Sequence, residues 1–469
     1  MRVRQCSRYV FCAVLFAMAL ALIAPAAYAE AVESYPIELN GSMLLIDRDG
    51  DELVGQGIFR YIYKLYDMAG SPVPYYAGMP AYNSADFDSS NPLQGYGLID
   101  YIGNPITAYD YSSIEYAFND RFFVTQSERM GVIDAEGRVV IPVEYANIIS
   151  NGDGGFLAVR ENAYSGNPQG LYYLDENGAE SATGVKVASY NRPYGLEYGL
   201  IPAMDPADKW GYLDSRGHWS IDPQYNWCDA FNNGYAIAAA DSGVGIINAQ
   251  GNWVLTPKYN YIGSGYNIAG SPFIAGLDGN LIRALSAEDF STLAEKKGDA
   301  WSNGNVLSDD LFAMISEKGA DMYDFKGNFL FSLSADECVS CWFSGGYILA
   351  YNKNYYTALY DRDGTRVSGP HQSVSYIDGT DGLFIFYKYK EKKIQYGPGE
   401  DEYYYTSIQN TFRSGIMDYM GNVIVKPQYD RIYPLGSDRL MAESPEYLTL
   451  IDMRGTVIKR FAVYSGLVD

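Results

Sequence analysis

Trp210-Gly-Tyr-Leu-Asp214-Ser-Arg-Gly217-His-Trp-Ser-Ile-Asp-Pro223-Gln-Tyr225 carries the pattern from which the rest of the chain is built. The first four residues are a short strand. Asp214 opens a turn, because its carboxylate can accept backbone amides two residues on, and Gly217 accepts the positive φ that a hairpin turn demands. His218 to Tyr225 alternates apolar and polar residues as a half-buried strand does. Pro223 is expected to stop that strand, since proline cannot donate to a ladder. Tyr225 is expected to pack on the adjoining unit. A further strand starts after Gly234.

The Asp-x-x-Gly turn returns throughout the sequence. Its leading residues are Asp47, Asp100, Asp134, Asp175, Asp214, Asn248, Asp324, Asp361, Asp418 and Asp452. The intervals between them are 53, 34, 41, 39, 34, 76, 37, 57 and 34 residues. The 76 is twice 38, and a worn copy, Ser286-Ala-Glu-Asp289, stands where the missing turn is due. Self-similarity at 34–41 residues marks a repeat architecture in which each unit buries its apolar face against its neighbours. Helical periodicity is absent apart from the N-terminal segment and a weak trace over 286–297. The expected fold is all-β, with tandem 34–41-residue β-repeats in a propeller-like arrangement; an open β-spiral or solenoid is the alternative.

Three more units share the full pattern: Gly131…Asp134…Gly137…Pro142…Tyr145, Gly245…Asn248…Gly251…Pro257…Tyr259 and Gly415…Asp418…Gly421…Pro427…Tyr429. With Trp210-Gly211…Asp222-Pro223-Gln-Tyr225 they resemble the WG repeat family of bacterial proteins, named for the Trp-Gly that opens each unit. Met130, Val244 and Ser414 replace the Trp in the other three. The resemblance implies a β-repeat scaffold, often extracellular or envelope-linked, used for binding, and it carries over no catalytic residues.

Two long intervals mark insertions near 52–96 and 385–408. The first includes Ser71-Pro-Val-Pro-Tyr75-Tyr76, Tyr82, Asp86 and Asp88. The second is expected to be a long hairpin, with Tyr387-Lys-Tyr-Lys-Glu-Lys-Lys393 on a basic arm, Glu400-Asp-Glu-Tyr-Tyr-Tyr405 on an acidic arm and Gly397-Pro-Gly399 near its tip. The worn stretch 262–316 is either a degenerate unit or a break between subdomains. Insertions in repeat proteins usually emerge on one face, often the binding face.

Residues 1–29 have the form of a cleavable secretory signal: Arg2, Arg4 and Arg8, an apolar run from Tyr9 to Ile23, and Ala27-Tyr28-Ala29 before a cut expected after Ala29. A retained membrane anchor is the rival reading. Residues 30–469 then form the repeat domain, secreted or extracellular, with no membrane association and as a monomer. The net charge of −23 works against nucleic acid and other polyanions as partners. The 45 tyrosines suit strands, where the ring packs and the hydroxyl reaches water. Cys338-Val-Ser-Cys341 has redox spacing without the βαβ pattern such a motif needs, so a local disulfide and two buried thiols both stay open.

Chemistry has little to work with. The histidines are His218 and His371, and no nucleophile elbow, zincin or phosphate-loop motif is present. Asp47-Arg-Asp49-Gly50-Asp51-Glu52 and Asp361-Arg-Asp363-Gly364 mimic half of a calcium loop, but Ile58 stands where the first would need its distal carboxylate. The expectation is a secreted, non-catalytic binding or interaction scaffold for a protein or cell-surface glycan, with no cofactor, no metal and no catalytic residue. The alternative is a carbohydrate-active enzyme using paired carboxylates.

Overall fold

The computed structural model describes residues 33–463 except 69, 82–94, 162–167, 191–198, 264–267, 269, 278–279, 299–302, 396–405 and 437. The signal segment, Tyr82, Asp86, Asp88, the 397–399 tip and the acidic arm 400–405 lie outside the described residues. Described residues contain no α-helix. They form ten antiparallel sheets, nine with four strands and the first with five, and every sheet keeps its strands in chain order. Each is a blade of the propeller type, so the all-β, propeller-like repeat fold is the one observed.

The chain divides into two compact units, Met1–Tyr116 and Ala117–Asp469. The first holds the five-stranded sheet, Ser34–Leu39, Ser42–Asp47, Glu52–Tyr66, Pro72–Pro80 and Gly97–Asp100. Residues of the first insertion therefore extend two strands of that sheet, which pair across the Asp67–Gly70 turn. Its core is Leu45, Val54, Phe59, Ile62, Tyr76 and Ile99.

In the second unit, consecutive sheets share their cores pairwise. Tyr212, Ile221 and Tyr225 of the fourth sheet (189–225) pack on Ala236, Ala238 and Ile247 of the fifth (227–259). Ile274 and Ile282 of the sixth (261–297) meet Phe312 and Met314 of the seventh (303–334). The seventh shares a cluster with the eighth (340–371), the eighth with the ninth (373–429) and the ninth with the tenth (431–462). Each fully buried aliphatic side chain there contributes about 1.5–3 kcal/mol.

The turns obey one geometry. Asp214 Oδ1 accepts the Arg216 and His218 amides, both at 2.9 Å, while Gly217 N–H donates to the Asp214 carbonyl at 3.0 Å. The same double acceptance recurs at Asp47, Asp100, Asp134, Asp175, Asn248, Asp324, Asp361 and Asp452. Gly217 has φ +80, and a Cβ there would also stand 2.8 Å from Leu171 Cδ2 of the preceding sheet. Turn glycine is thus needed twice, for its dihedral and for contact with the unit before it. Gly251 meets Ile221, Gly364 meets Phe331 and Gly455 meets Val425 in the same manner. The worn copy keeps the turn with one more residue: Ser286 Oγ accepts the Glu288 amide, Phe290 takes φ +58, and its ring lies 5.3 Å from Tyr235 of the preceding sheet. The 261–297 segment is accordingly a sheet like the others.

Proline does not end its strand. Pro142, Pro223, Pro257 and Pro427 lie inside the strands Val139–Tyr145, Trp219–Tyr225, Trp253–Tyr259 and Val423–Tyr429. Each strand is the last of its sheet, where a missing N–H costs no ladder bond, and the register shifts along it. The shift explains the Gly of Trp-Gly. A Cβ on Gly211 would lie 2.5 Å from the Ile221 carbonyl and 2.8 Å from Pro223 N, so the displaced backbone occupies the place of a side chain. Tyrosine then bridges forward: Tyr225 donates its hydroxyl to the Gly251 carbonyl of the next sheet at 2.6 Å, and Tyr145 donates to Glu180.

In the ninth sheet Leu383–Gln395 and Thr406–Asp418 pair without a break. The described register sets Lys388 opposite Arg413 and Lys392 opposite Gln409, and the acidic arm 400–405 lies outside the described residues.

Gly217→Ala should cost about 2–5 kcal/mol, adding dihedral strain to overpacking. Gly379→Ala, with φ +78 and nothing within 4 Å, should cost only about 1–2 kcal/mol. Urea denaturation of both variants checks this; equal losses would remove the inter-sheet contact from the account.

Candidate functional site

Few of the residues with chemical potential are free to act. The turn aspartates spend an oxygen on backbone amides, Asp47 on those of Asp49 and Asp51 and Asp361 on those of Asp363 and Thr365. Both half-loops with calcium-like spacing are turns of the repeat. Among the described residues no group of three or more His, Cys, Asp or Glu side chains is placed to hold a metal ion. His218 is exposed on its turn, 3.8 Å from Asp214. His371 Nε2 and Ser368 Oγ share a 2.8 Å hydrogen bond, and burial lowers the His371 pKa, so the ring is neutral at pH 7. The ninth-sheet turn sits directly on that serine, with a Gly421 Cβ position 2.6 Å from its Oγ.

Cys228, Cys338 and Cys341 are buried free thiols. Cys338 and Cys341 belong to the core between the seventh and eighth sheets. A hydrogen bond donated by the Cys341 thiol to Cys338, with burial, pushes the Cys341 thiol up, and burial pushes Cys228 up to about 12. Thiols so placed are packing groups rather than nucleophiles.

A cleft of 670 Å³ lies between the seventh and eighth sheets. Asp309 and Asp310 come from the first turn of the seventh sheet, Asp324 and Lys326 from its Asp-x-x-Gly turn, and Phe329, Leu330 and Phe331 from its last strand. Arg362 and Asp363 reach the cleft from the equivalent turn of the eighth. Arg362 grips both oxygens of Asp310 at 2.7 Å and Asp309 at 3.3 Å, while its guanidinium lies 5.0 Å over the Phe343 ring. Ser308 Oγ donates to Asp310 at 2.9 Å. A planar guanidinium held on two sides fixes one wall of the cleft.

Burial raises the Asp324 pKa, but hydrogen bonds from the Asn328 side chain and amide and the Lys326 amide, together with the Lys326 charge, hold it below the ordinary carboxylate value. Opposite these charges, Phe329 and Leu330 are 57% and 45% exposed. Sequence reasoning marked Asp324 as a repeat turn and Asp361-Arg-Asp363-Gly364 as a calcium-like half-loop, but did not bring them together with Asp309, Asp310 or the 329–331 stretch. The available signal was Phe329-Leu-Phe-Ser-Leu-Ser334, which occupies the last-strand position yet lacks the proline found there in the clearest repeats.

A smaller pocket of 180 Å³ opens beside the worn turn, lined by Asn232, Tyr235, Ser271, Phe273, Ala287 and Glu288 among others. Tyr235, Phe273 and Phe290 form an aromatic triad there, with centroids 5.3–6.2 Å apart.

The chain carries WG-containing repeats. A family described as WG containing repeat matches residues 130–164, 210–240, 245–266 and 415–441. No curated protein matches the chain. Among solved structures, a crystal structure of a eukaryotic initiation factor is 9% identical over 79% of this chain and 94% of that chain, with a TM-score of 0.43. BamB from Moraxella catarrhalis is 14% identical over 58% of this chain and 92% of its own, with a TM-score of 0.28. The computationally designed Ika8 protein is 12% identical over 75% and 96%, with a TM-score of 0.29.

The depressed Asp324 pKa sets a sign for pH dependence. Its folded value lies below the unfolded one of ~3.9, so its stabilisation is complete above the unfolded value and is lost as pH falls through the folded value. Asn248 makes the same turn with a side chain that does not titrate. Asp324→Asn should therefore show a shallower loss of stability between neutral pH and about pH 3 than the parent protein. Parallel slopes in thermal melts across that range would contradict the assignment.

Proposed function

We propose that this chain is an exported, monomeric and non-catalytic scaffold that binds a protein or a cell-surface glycan. What supports this reading most is the contrast between the turn carboxylates, tied to their own backbone, and the cleft at 309–363, which combines exposed apolar groups with fixed charge. A cleft of that make-up suits recognition, since apolar side chains contribute contact area and the charged rim sets orientation. The acidic net charge supports partners that are neutral or basic over polyanions. The signal-like segment 1–29 supports action outside the cytoplasm.

Glycan-array binding by the purified protein, run beside cross-linking on intact cell surfaces, tests the reading. Saturable binding to one chemical class, weakened by Asp363→Asn, is the expected result. Turnover of chromogenic glycosides that disappears in Asp309→Asn or Asp363→Asn would replace the scaffold with the carbohydrate-active enzyme.

A further inference from the structure

Every last strand in the nine four-stranded sheets is an edge, and alternate backbone N–H and C=O groups along it have no strand partner. Soluble proteins guard such edges with proline, charge or a bulge. Guards are present in nearly all of them here. Proline stands in Val139–Tyr145, Trp219–Tyr225, Trp253–Tyr259, Arg366–His371 and Val423–Tyr429. Charged residues stand in Glu180–Val187, Thr292–Lys297 and Val457–Ala462. Among these last strands, Phe329–Ser334 alone, with the sequence Phe-Leu-Phe-Ser-Leu-Ser, has neither; its one irregularity is a register shift at Leu330, which leaves Phe331–Ser334 regular. It is also the last strand that walls the 670 Å³ cleft.

The two departures from the pattern coincide in space. An edge with neither proline nor charge is a template for strand addition, in which main-chain hydrogen bonds supply affinity and side-chain contacts supply selection. Beside this edge stand the carboxylates of Asp309, Asp310, Asp324 and Asp363 against two cations, Arg362 and Lys326. Arg362 is committed to Asp310 and Asp309, so the remaining field is negative.

We propose that Phe329–Ser334 is a peptide-binding edge, to which an extended segment of a partner protein adds as a fifth strand. Its apolar side chains lie on Phe329 and Leu330, and its flanking Lys or Arg side chains face the four aspartates. This rests on the scaffold reading and names its partner class. A second copy of the chain is the poorer occupant, because pairing edge to edge brings two identical acidic clefts together.

The test uses the purified protein and a fluorescein-labelled peptide, Lys-Thr-Val-Thr-Val-Thr-Lys, followed by fluorescence anisotropy. Saturable binding that weakens with added salt is expected. Leu330→Lys installs the missing charge and should weaken binding about tenfold or more, whereas Val423→Lys on an edge already guarded by Pro427 should leave it unchanged. Asp363→Lys, on the turn of the neighbouring sheet, should weaken binding of the basic peptide and spare an analogue with Ser in place of Lys. No saturable binding, or equal binding by the parent and Leu330→Lys, overturns the proposal. So does a concentration-dependent dimer in sedimentation that Leu330→Lys abolishes, since the edge then belongs to a second copy. Loss of glycan binding in Leu330→Lys without any peptide binding also overturns it and assigns the cleft to sugar. If the peptide fails while cell-surface binding persists in Leu330→Lys, this edge is excluded and the scaffold reading stands.

Discussion

Within the second unit, the bare Cα of the turn glycines from Gly178 to Gly455 rests on the sheet that precedes it, and that contact governs how one sheet follows another. At Gly217 the partners are Leu171 and Thr183, at Gly251 Ile221, at Gly364 Phe331. A side chain would have to push the sheets apart, because packed interiors leave no slack of that size. The forward bond from Tyr225 to the Gly251 carbonyl closes the same joint from the other side. Where glycine is missing, at the worn turn, Phe290 meets Tyr235 by ring contact instead, and a 180 Å³ pocket opens beside it.

Most of the chain's acids near turns are architectural. An aspartate that accepts two backbone amides is held in one orientation and serves as a turn, and Asn248 does the same work without a charge. This accounts for an acidic sequence in which most repeat carboxylates point to no chemistry. The exception lies where two turns of neighbouring sheets converge, and where Arg362 crosses from one to fasten Asp309 and Asp310 of the other.

Much of the fold was legible because it repeats. Asp and Gly at fixed spacing report a local turn, and a local turn depends on few other residues. Proline was harder. Pro223 follows the rule that proline avoids central ladders, yet it satisfies the rule by occupying an edge rather than by ending the strand. The Gly of Trp-Gly was opaque for the opposite reason, since Gly211 is constrained by a carbonyl ten residues away, on Ile221, in the adjacent strand. The cleft could not be read from the sequence because it joins residues 309 and 362, which belong to turns of two different sheets, with residue 330 inside a strand of the first. Its one local trace is the absence of proline and charge in Phe329–Ser334, and an absence becomes visible only once the other edges are known.

If glycine is required by the preceding sheet, making room in that sheet must relieve its replacement. Gly251 and Ile221 offer the direct case, with a Cβ on Gly251 falling 2.7 Å from Ile221 Cγ2. A double-mutant cycle of Gly251→Ala and Ile221→Ala, read by urea denaturation, measures the coupling. The account predicts that Gly251→Ala costs at least about 1 kcal/mol less when Ile221 is already Ala. Strict additivity would contradict it, leaving the turn glycine as a matter of dihedral alone.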